Sequence, residues 1–431
     1  MAILYYPCVL SFAKLYRLKY TYLNQAFGAT LIMSKNNTLS NKNKTLLPPN
    51  NRAKKVGVIA ARILFVLVLL IAALWAGLIL WVHLIDYPFF RGVVITLITL
   101  FSLVILKSSL SQSSYWQGWL VGFISLWLLL AAWFIWLPPK EDRPWMAEVS
   151  QVLQFTQSPS NPNLITLHNV RNFDWARAPG SEKLVQPTEP YYFKAVEKGG
   201  QDVVVNERWS ERTVDLSKLS GVDIINSYWM GEQIGHTLLS FRFEDERPLS
   251  FSIEIRKEED ESFSAFGGFV KQFEMAVVAS EERDIVYTRS NVRGEQVYMF
   301  PIQGLSQQQV QQLFRAYLEQ AKQLQQAPKW YNTLIRNCTT VIFDMARAID
   351  SADFPWDYRI LMSGYVPNYL YDQGLLPEQL NDKAHQWDME QWYINAHVNP
   401  KVADFSFEDN KDPEAYPQKV RQGLPQPKLA P

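Results

Sequence analysis

The hydrophobic residues of the first third of the chain lie in long uninterrupted runs. Residues 63–82 are twenty residues without a charge or a proline, and residues 115–137 form a second such run. Twenty helical residues, at about 1.5 Å each, cross a hydrocarbon core of about 30 Å. The run between them, 92–106, is shorter and crosses only if Arg91 and Lys107 extend to the interface. The pattern therefore predicts three transmembrane helices, at about 56–82, 87–106 and 115–137.

A different pattern, with period two, predicts β-strands in the second half of the chain. Thr237–Phe243 and Leu249–Arg256 alternate polar and apolar residues, and the polar residues 244–248 between them predict a turn, so the three form a β-hairpin. Helical periodicity in the later part predicts two amphipathic helices, at 307–325 and 339–348. Strands in a run with helices around them indicate an α+β domain.

These patterns give the expected domain organisation. A basic N-terminal segment, expected to be cytoplasmic and disordered, is followed by the three transmembrane helices, a linker, the α+β domain and a polar, Pro-rich tail that need not be ordered. The corresponding ranges are 1–55, 56–137, 138–164, 165–376 and 377–431.

The charge distribution predicts how the chain is oriented in the membrane. The whole chain is neutral, with 42 basic and 42 acidic residues, but residues 1–62 contain ten Lys or Arg and no Asp or Glu. Positive charge before the first helix favours a cytoplasmic N-terminus, so three crossings place the large domain in the periplasm, anchored to the inner membrane. If the middle run does not cross, the domain is cytoplasmic instead. The basic charge precedes an apolar helix and the domain is acidic, which argues against nucleic-acid binding.

Cys338 is the first candidate for chemistry. The chain has two cysteines, and on this topology Cys338 lies outside and cannot pair with Cys8. Asn337 is a good helix N-cap, which puts Cys338 at the first helical position, where unpaired N–H groups and the helix dipole favour a thiolate. The alternative is a buried structural cysteine, and the cap position alone does not decide between the two.

A thiolate nucleophile usually has a histidine base that a third polar group orients. His236 opens the first strand of the predicted hairpin, and the turn brings Glu254 of the second strand close to it on the same face. Such a carboxylate can fix the imidazole tautomer, although a solvated strand residue is the alternative for Glu254. The remaining histidines of this part lie in irregular or tail segments and are expected at the surface: His168, His385 and His397.

Three stretches that contain these residues resemble a known family. Residues 235–241 (GHTLLSF), 252–256 (SIEIR) and 331–340 (YNTLIRNCTT), with QFE at 272–274 and ERD at 282–284 as further landmarks, are similar to the Lnb N-terminal periplasmic domain family. The family is named after a bacterial lipoprotein N-acyltransferase. It is similar in turn to circularly permuted papain-like cysteine enzymes of the NlpC/P60 and lecithin retinol acyltransferase type, so the expected fold is a permuted papain-like domain preceded by three transmembrane helices.

The resemblance implies roles for individual residues. Cys338 would be the nucleophile, His236 the base and Glu254 the group that orients it, while Tyr331 and Asn337 would support the oxyanion site. The chain also departs from the namesake acyltransferase, in which membrane helices follow the periplasmic domain, whereas here the helices precede it. The acyl acceptor of the namesake enzyme therefore cannot be assigned to this chain from the resemblance.

The expected function is acyl transfer through a thioester on Cys338, with a phospholipid as the expected donor and a lipoprotein amine as the expected acceptor. Two alternatives remain: a periplasmic cysteine peptidase or amidase, and a membrane-anchored binding domain without catalysis. Expected partners are membrane lipids and, beyond them, lipoproteins or cell-wall peptides. The sequence shows neither a phosphate-binding glycine loop nor a metal-ligand spacing, so no cofactor and no metal are expected.

Overall fold

The computed structural model describes residues 51–111, 115–178, 202–229, 231–350, 354–379, 386–406 and 408–430. The chain divides into two units, Met1–Val68 and Leu69–Pro431. The predicted disordered segment lies outside the described residues up to residue 50, as do Cys8 and His385. The first helix, α1 (Asn51–His83), begins within the last residues of the segment that was expected to be disordered.

Two further long helices follow, α2 (Pro88–Leu110) and α3 (Trp116–Trp136). Together with α1 they provide three segments that are long and apolar enough to cross a membrane. The middle helix is longer than its apolar run, because Pro88 begins it and Lys107 lies within its last turn. Its 23 residues reach about 34 Å, enough for a bilayer core. The three predicted transmembrane helices are therefore confirmed as helices of sufficient length.

The rest of the second unit is a mixed α+β domain built on a long, mainly antiparallel sheet. The spatial order of its strands is β1-β2-β9-β8-β7-β6-β10, and β5 pairs with β2 beside this path, while β3 and β4 form a separate pair. The strands are β1 (Gln154–Gln157), β2 (Leu164–Arg171), β3 (Asp174–Arg177), β4 (Asp202–Asn206), β5 (Trp209–Asp215), β6 (Leu219–Tyr228), β7 (Gly235–Phe243), β8 (Leu249–Arg256), β9 (Glu274–Glu281) and β10 (Gln296–Ile302).

Helices cover both faces of this sheet. The helices of the domain are α4 (Glu282–Tyr287), α5 (Gln307–Gln326), α6 (Cys338–Ile349), α7 (Val366–Asp372), α8 (Met389–Ala396) and α9 (Ala415–Val420), with a π-helical turn at Thr288–Arg293 after α4. Successive residues of β7 face opposite sides, so Leu239 packs in a core with α5 and α6, and Leu238 in a second core with α4 and α9. The predicted hairpin and the α+β class are confirmed.

The C-terminal segment differs from the expectation of a polar tail that need not be ordered. Trp392 and Tyr416 are among the most deeply buried side chains. Arg421 forms ion pairs with Asp223 in β6, at 2.8 Å, and with Glu282 at the start of α4, at 2.6 Å. The segment therefore packs against the domain, with Trp392, Tyr416 and Arg421 among the side chains that hold it. Its composition is polar on average, so composition alone did not predict this packing.

Candidate active site

The β7–β8 hairpin brings His236 and Glu254 together. Leu238 pairs with Ser252 across the two strands, and this register continues to place Glu254 opposite His236. A turn centred near Glu246 would have put residue 256 opposite His236, so the observed register is offset by two residues from that simple expectation. Because side chains alternate faces with period two, an offset of two keeps the same face. Nε2 of His236 lies 3.2 Å from Oε1 of Glu254.

Cys338 occupies the first position of α6, as predicted from its neighbour Asn337. The Asn337 side-chain oxygen accepts hydrogen bonds from the backbone N–H groups of Thr339, at 3.0 Å, and Thr340, at 2.8 Å. The Thr340 hydroxyl accepts from the backbone N–H of Asn337 in return, which completes a capping box. Both polar atoms of the Asn337 side chain bind backbone, since Nδ2 donates to Thr333 O. Asn337 therefore supports the helix start on which the thiol sits.

The imidazole of His236 and the thiol of Cys338 line the same cavity and interact electrostatically. On the other side of the ring, Nε2 lies 2.8 Å from Oγ of Ser252. The Ser252 hydroxyl donates its hydrogen to Oε1 of Glu254 at 2.7 Å. Its oxygen is therefore left to accept a hydrogen bond from the imidazole, and Ser252 bridges His236 and Glu254. Because Nε2 faces these two groups, Nδ1 is the nitrogen left for proton exchange with Cys338.

The electrostatics of this cluster favour a thiolate–imidazolium pair. Burial lowers the pKa of His236, but Glu254 and Cys338 outweigh it and raise the pKa to about 10. Burial raises the pKa of the Cys338 thiol, yet His236 and hydrogen bonds from its surroundings bring it below its usual value. Glu254 is also buried, which raises its pKa, but His236 and Arg289 hold that pKa well below the usual range.

Tyr331 and Thr237 both interact with Cys338. The Tyr331 hydroxyl interacts with both the backbone N–H and the side chain of Cys338. Burial and the nearby thiolate raise the pKa of Tyr331 well above its ordinary value, so the phenol keeps its proton and can donate it. The backbone N–H of Thr237 also acts on Cys338 and lowers the pKa of its thiol. An oxyanion formed at this position would therefore meet preorganised donors.

The dyad lines a cavity of about 350 Å³ that combines an apolar part with a charged part. The apolar part includes Trp229, Ile234, Ile253, Phe263 and Leu361. The charged part includes Glu148, Lys257, Arg289, Arg293 and Glu295. Several of these charges are paired with one another, as Glu148 is with Lys257 and Arg293, so they neutralise each other at the cavity wall.

Sequence reasoning missed two residues of this cluster, Ser252 and Arg289. Ser252 could have been found, because it precedes Glu254 by two positions on the same strand and so shares its face. Arg289 lies in the π-helical turn after α4 and donates to Oε1 of Glu254 at 2.8 Å. Its position depends on the path of the chain after β9, and no local pattern signals it.

The other two described histidines of the domain, His168 and His397, make their contacts with other residues. His168 is partly exposed and pairs with Glu211 at 2.7 Å. His397 is buried against Tyr298, and its Nε2 lies 2.9 Å from the side-chain oxygen of Gln296, which differs from the surface position expected for it. Burial lowers the pKa of His397 to about 4, so this imidazole stays neutral inside the fold.

Three helices able to span a bilayer precede an α+β domain that holds a cysteine, a histidine and a carboxylate in one cluster. These features together define the chain as a membrane protein. Residues 206–364 match the family model of the Lnb N-terminal periplasmic domain, so this part of the chain is a domain of that family. The match covers β7, β8 and the start of α6, and it confirms the resemblance to this family. The protein is therefore a membrane protein with a periplasmic domain.

Comparisons of the chain with curated proteins and with solved structures give no match. The likeness to permuted papain-like enzymes of the NlpC/P60 type thus stays a prediction, as do the catalytic roles of the individual residues.

Proposed function

We propose that this protein is an acyltransferase of the periplasmic face of the inner membrane, which carries an acyl group as a thioester on Cys338. The observation that carries the proposal is the continuous cluster from the Cys338 thiol through His236 to Ser252 and Glu254 at the wall of a cavity. The inner membrane is inferred from the basic residues before α1, which favour a cytoplasmic N-terminus.

The first half-reaction forms the thioester. The Cys338 thiolate attacks the carbonyl carbon of a phospholipid ester, and the negative charge that develops on the carbonyl oxygen is stabilised by donors such as the Tyr331 hydroxyl. The tetrahedral intermediate then collapses and the carbon–oxygen ester bond breaks. The imidazolium of His236 gives its proton to the departing alkoxide, which leaves as the hydroxyl of a lysophospholipid.

The second half-reaction returns the enzyme to its starting state. An amine, such as the N-terminal amine of a lipoprotein, attacks the thioester carbonyl while neutral His236 takes a proton from it. The carbon–sulfur bond breaks, an amide forms, and the thiolate–imidazolium pair is restored. Water in place of the amine would give a free fatty acid instead.

Labelling the full chain with lipid tests the proposal. The reconstituted protein is incubated with a phospholipid whose acyl chain bears an alkyne, and the acylated peptide is identified by mass spectrometry. We expect a hydroxylamine-sensitive adduct on Cys338, which is absent in Cys338→Ala and strongly reduced in His236→Ala. Cys8→Ser is the matched control and should keep the adduct. Full transferase activity of Cys338→Ala, or the absence of any thioester, would rule out the mechanism.

A cysteine peptidase or amidase is the second candidate, and the charged part of the cavity favours it. Glu148, Lys257 and Arg293 give the wall a polar side that a peptide could use. The same labelling experiment separates the two candidates, because an amidase would cleave a periplasmic peptide through Cys338 and take no acyl chain from phospholipid. If neither occurs, the remaining alternative is a binding domain.

A further inference from the structure

Two neighbouring loops of the domain expose large apolar side chains to the outside. We call these side chains the apolar rim: Phe263, Phe266, Phe269, Leu334 and Ile335. Phe266 and Ile335 are 70% and 71% exposed. Single apolar residues at a surface are ordinary, but a cluster of five on adjoining loops marks an interaction site.

The loops hold the rim outward in a fixed shape. Backbone hydrogen bonds of 3.1 Å join Asn332 and Arg336 in both directions and close a tight hairpin. The Asn332 side-chain oxygen accepts from the backbone N–H groups of Leu334 and Ile335 at its tip. Thr333 donates to Ala265 O at 2.7 Å and so ties this hairpin to the loop that carries the phenylalanines.

The same loops are attached to the ends of the membrane helices. Nζ of Lys271 donates to the carbonyl oxygens of Phe134 and Ile135, in the last turn of α3, at 2.7 and 3.0 Å. Nε1 of Trp330 donates to Leu137 O, immediately after that helix, at 3.1 Å. At the end of α1, Nε2 of His83 lies 2.7 Å from Val270 O. Val270, Lys271 and Trp330, at the ends of the two loops, therefore lie beside the ends of α1 and α3.

The strand register puts the candidate active site at this same end of the domain. Arg256 at the end of β8 pairs with Glu274 at the start of β9, three residues after Lys271. His236 and Glu254 lie near these ends, whereas the turn at 244–248 lies at the far end of the hairpin. Phe263 and Tyr331, from the two loops, line the cavity that contains Cys338.

We infer that the apolar rim inserts into the periplasmic leaflet of the membrane that anchors the chain, so that the cavity beside Cys338 opens at the level of the lipid headgroups. The apolar rim lies beside the ends of α1 and α3, and we therefore identify the lipid surface as the partner that contacts it. Arg336, exposed beside the hairpin tip, suits the phosphate groups at that depth. The inference does not depend on the chemistry proposed for Cys338, and its test uses a variant without that thiol.

Depth-dependent quenching in the full chain tests the inference. In a Cys8→Ser, Cys338→Ala background, single cysteines are introduced as Phe266→Cys, Ile335→Cys and, for comparison, Asp245→Cys, and each is labelled with an environment-sensitive fluorophore. Asp245 is an exposed residue of the turn between β7 and β8, and β8 alone extends roughly 23 Å at about 3.3 Å per residue.

The vesicles contain phosphatidylethanolamine and phosphatidylglycerol, with or without a lipid that carries a nitroxide on its acyl chain near the headgroup. We expect at least twofold quenching at positions 266 and 335 and little at 245. Equal quenching at all three positions, or none at 266 and 335, would overturn the inference.

Lipid photo-crosslinking of the protein with its native residues gives a second readout that needs no substitution. A phosphatidylcholine with a diazirine on its acyl chain should label peptides that contain 263–270 and 331–336, in addition to the membrane helices. Labelling confined to the helices would mean that the rim lies in water or against another protein, and would equally overturn the inference.

Discussion

Arg289 donates a hydrogen bond of 2.8 Å from Nη2 to Oε1 of Glu254, the same oxygen that lies 3.2 Å from Nε2 of His236. The guanidinium and the imidazole therefore share one oxygen of the carboxylate. Arg289 and Glu254 are both nearly buried, so water screens the attraction between their charges only weakly. Glu254 is kept ionised and in place, and through it His236 is kept in one orientation.

Replacing Glu254 by Gln should change the pH dependence of Cys338 reactivity. In the native protein the thiolate exists above the lowered pKa of Cys338 and is lost as the pH falls through it, while the imidazolium persists up to about pH 10. Without the carboxylate the pKa of His236 falls, its charge stabilises the thiolate less, and the pKa of Cys338 rises. We expect the midpoint of the iodoacetamide alkylation rate to move up by about one pH unit or more.

Glu211→Gln is the control for this measurement, because Glu211 pairs with the remote His168. Its alkylation profile should overlay that of the native protein. An unchanged profile in Glu254→Gln would show that the carboxylate does not support the imidazolium.

Arg289→Gln should lower kcat/KM for acyl transfer by about tenfold to a hundredfold, since a hydrogen bond to a charged group contributes about 1.5–3 kcal/mol. Arg289 acts as a positioning residue through Glu254, so kcat should change more than KM. Arg289→Lys should recover part of the loss, because it keeps a charge beside the carboxylate. The alkylation profile of Arg289→Gln should shift in the same direction as that of Glu254→Gln. A loss of activity without that shift would indicate a purely structural role.

Tyr331→Phe should lower kcat by about a hundredfold and leave KM nearly unchanged, as expected for a donor that acts on the developing oxyanion. The phenol lies at the Cys338 sulfur and backbone N–H, and phenylalanine preserves the ring while removing the hydroxyl. Steady-state kinetics of acyl transfer measures the effect. A variant with native kcat would assign the oxyanion site to backbone N–H groups alone.

Asp284→Ala should destabilise the domain without a specific effect on the site. Asp284 is fully buried and accepts hydrogen bonds from the guanidinium of Arg171, the backbone N–H of Phe173 and the indole N–H of Trp175. Leaving Arg171 buried and unpaired costs about 3–5 kcal/mol, which lowers the melting temperature of a domain of this size by roughly 10 °C.

Thermal unfolding in detergent, followed by circular dichroism, measures that shift. Glu211→Gln, which removes an exposed partner, should change the melting temperature by no more than about 1 °C. A native melting temperature for Asp284→Ala would mean that the buried ion pair adds little to stability.

Local patterns in the sequence were sufficient for several parts of the site. The alternation in β7 and β8 with the turn between them predicted that Glu254 faces His236, and the contact is observed at 3.2 Å. Asn337 before an apolar helical pattern predicted the N-cap that places Cys338 at the start of α6. These predictions succeeded because a hairpin and a helix start are set by residues within about twenty positions of one another.

The sequence by itself determined the three membrane helices, the hairpin, the helix start beneath the sulfur and, through motif resemblance, the family. Tertiary structure decided that Arg289 reaches Glu254, that the C-terminal segment buries Trp392 and Tyr416, and that the loops around Phe266 and Ile335 lie beside the ends of α1 and α3. Each of these contacts joins segments that are far apart in the sequence, and no periodic pattern of residues predicts such a contact. Their positions follow from how the whole sheet and its helices pack, which no single stretch of residues encodes.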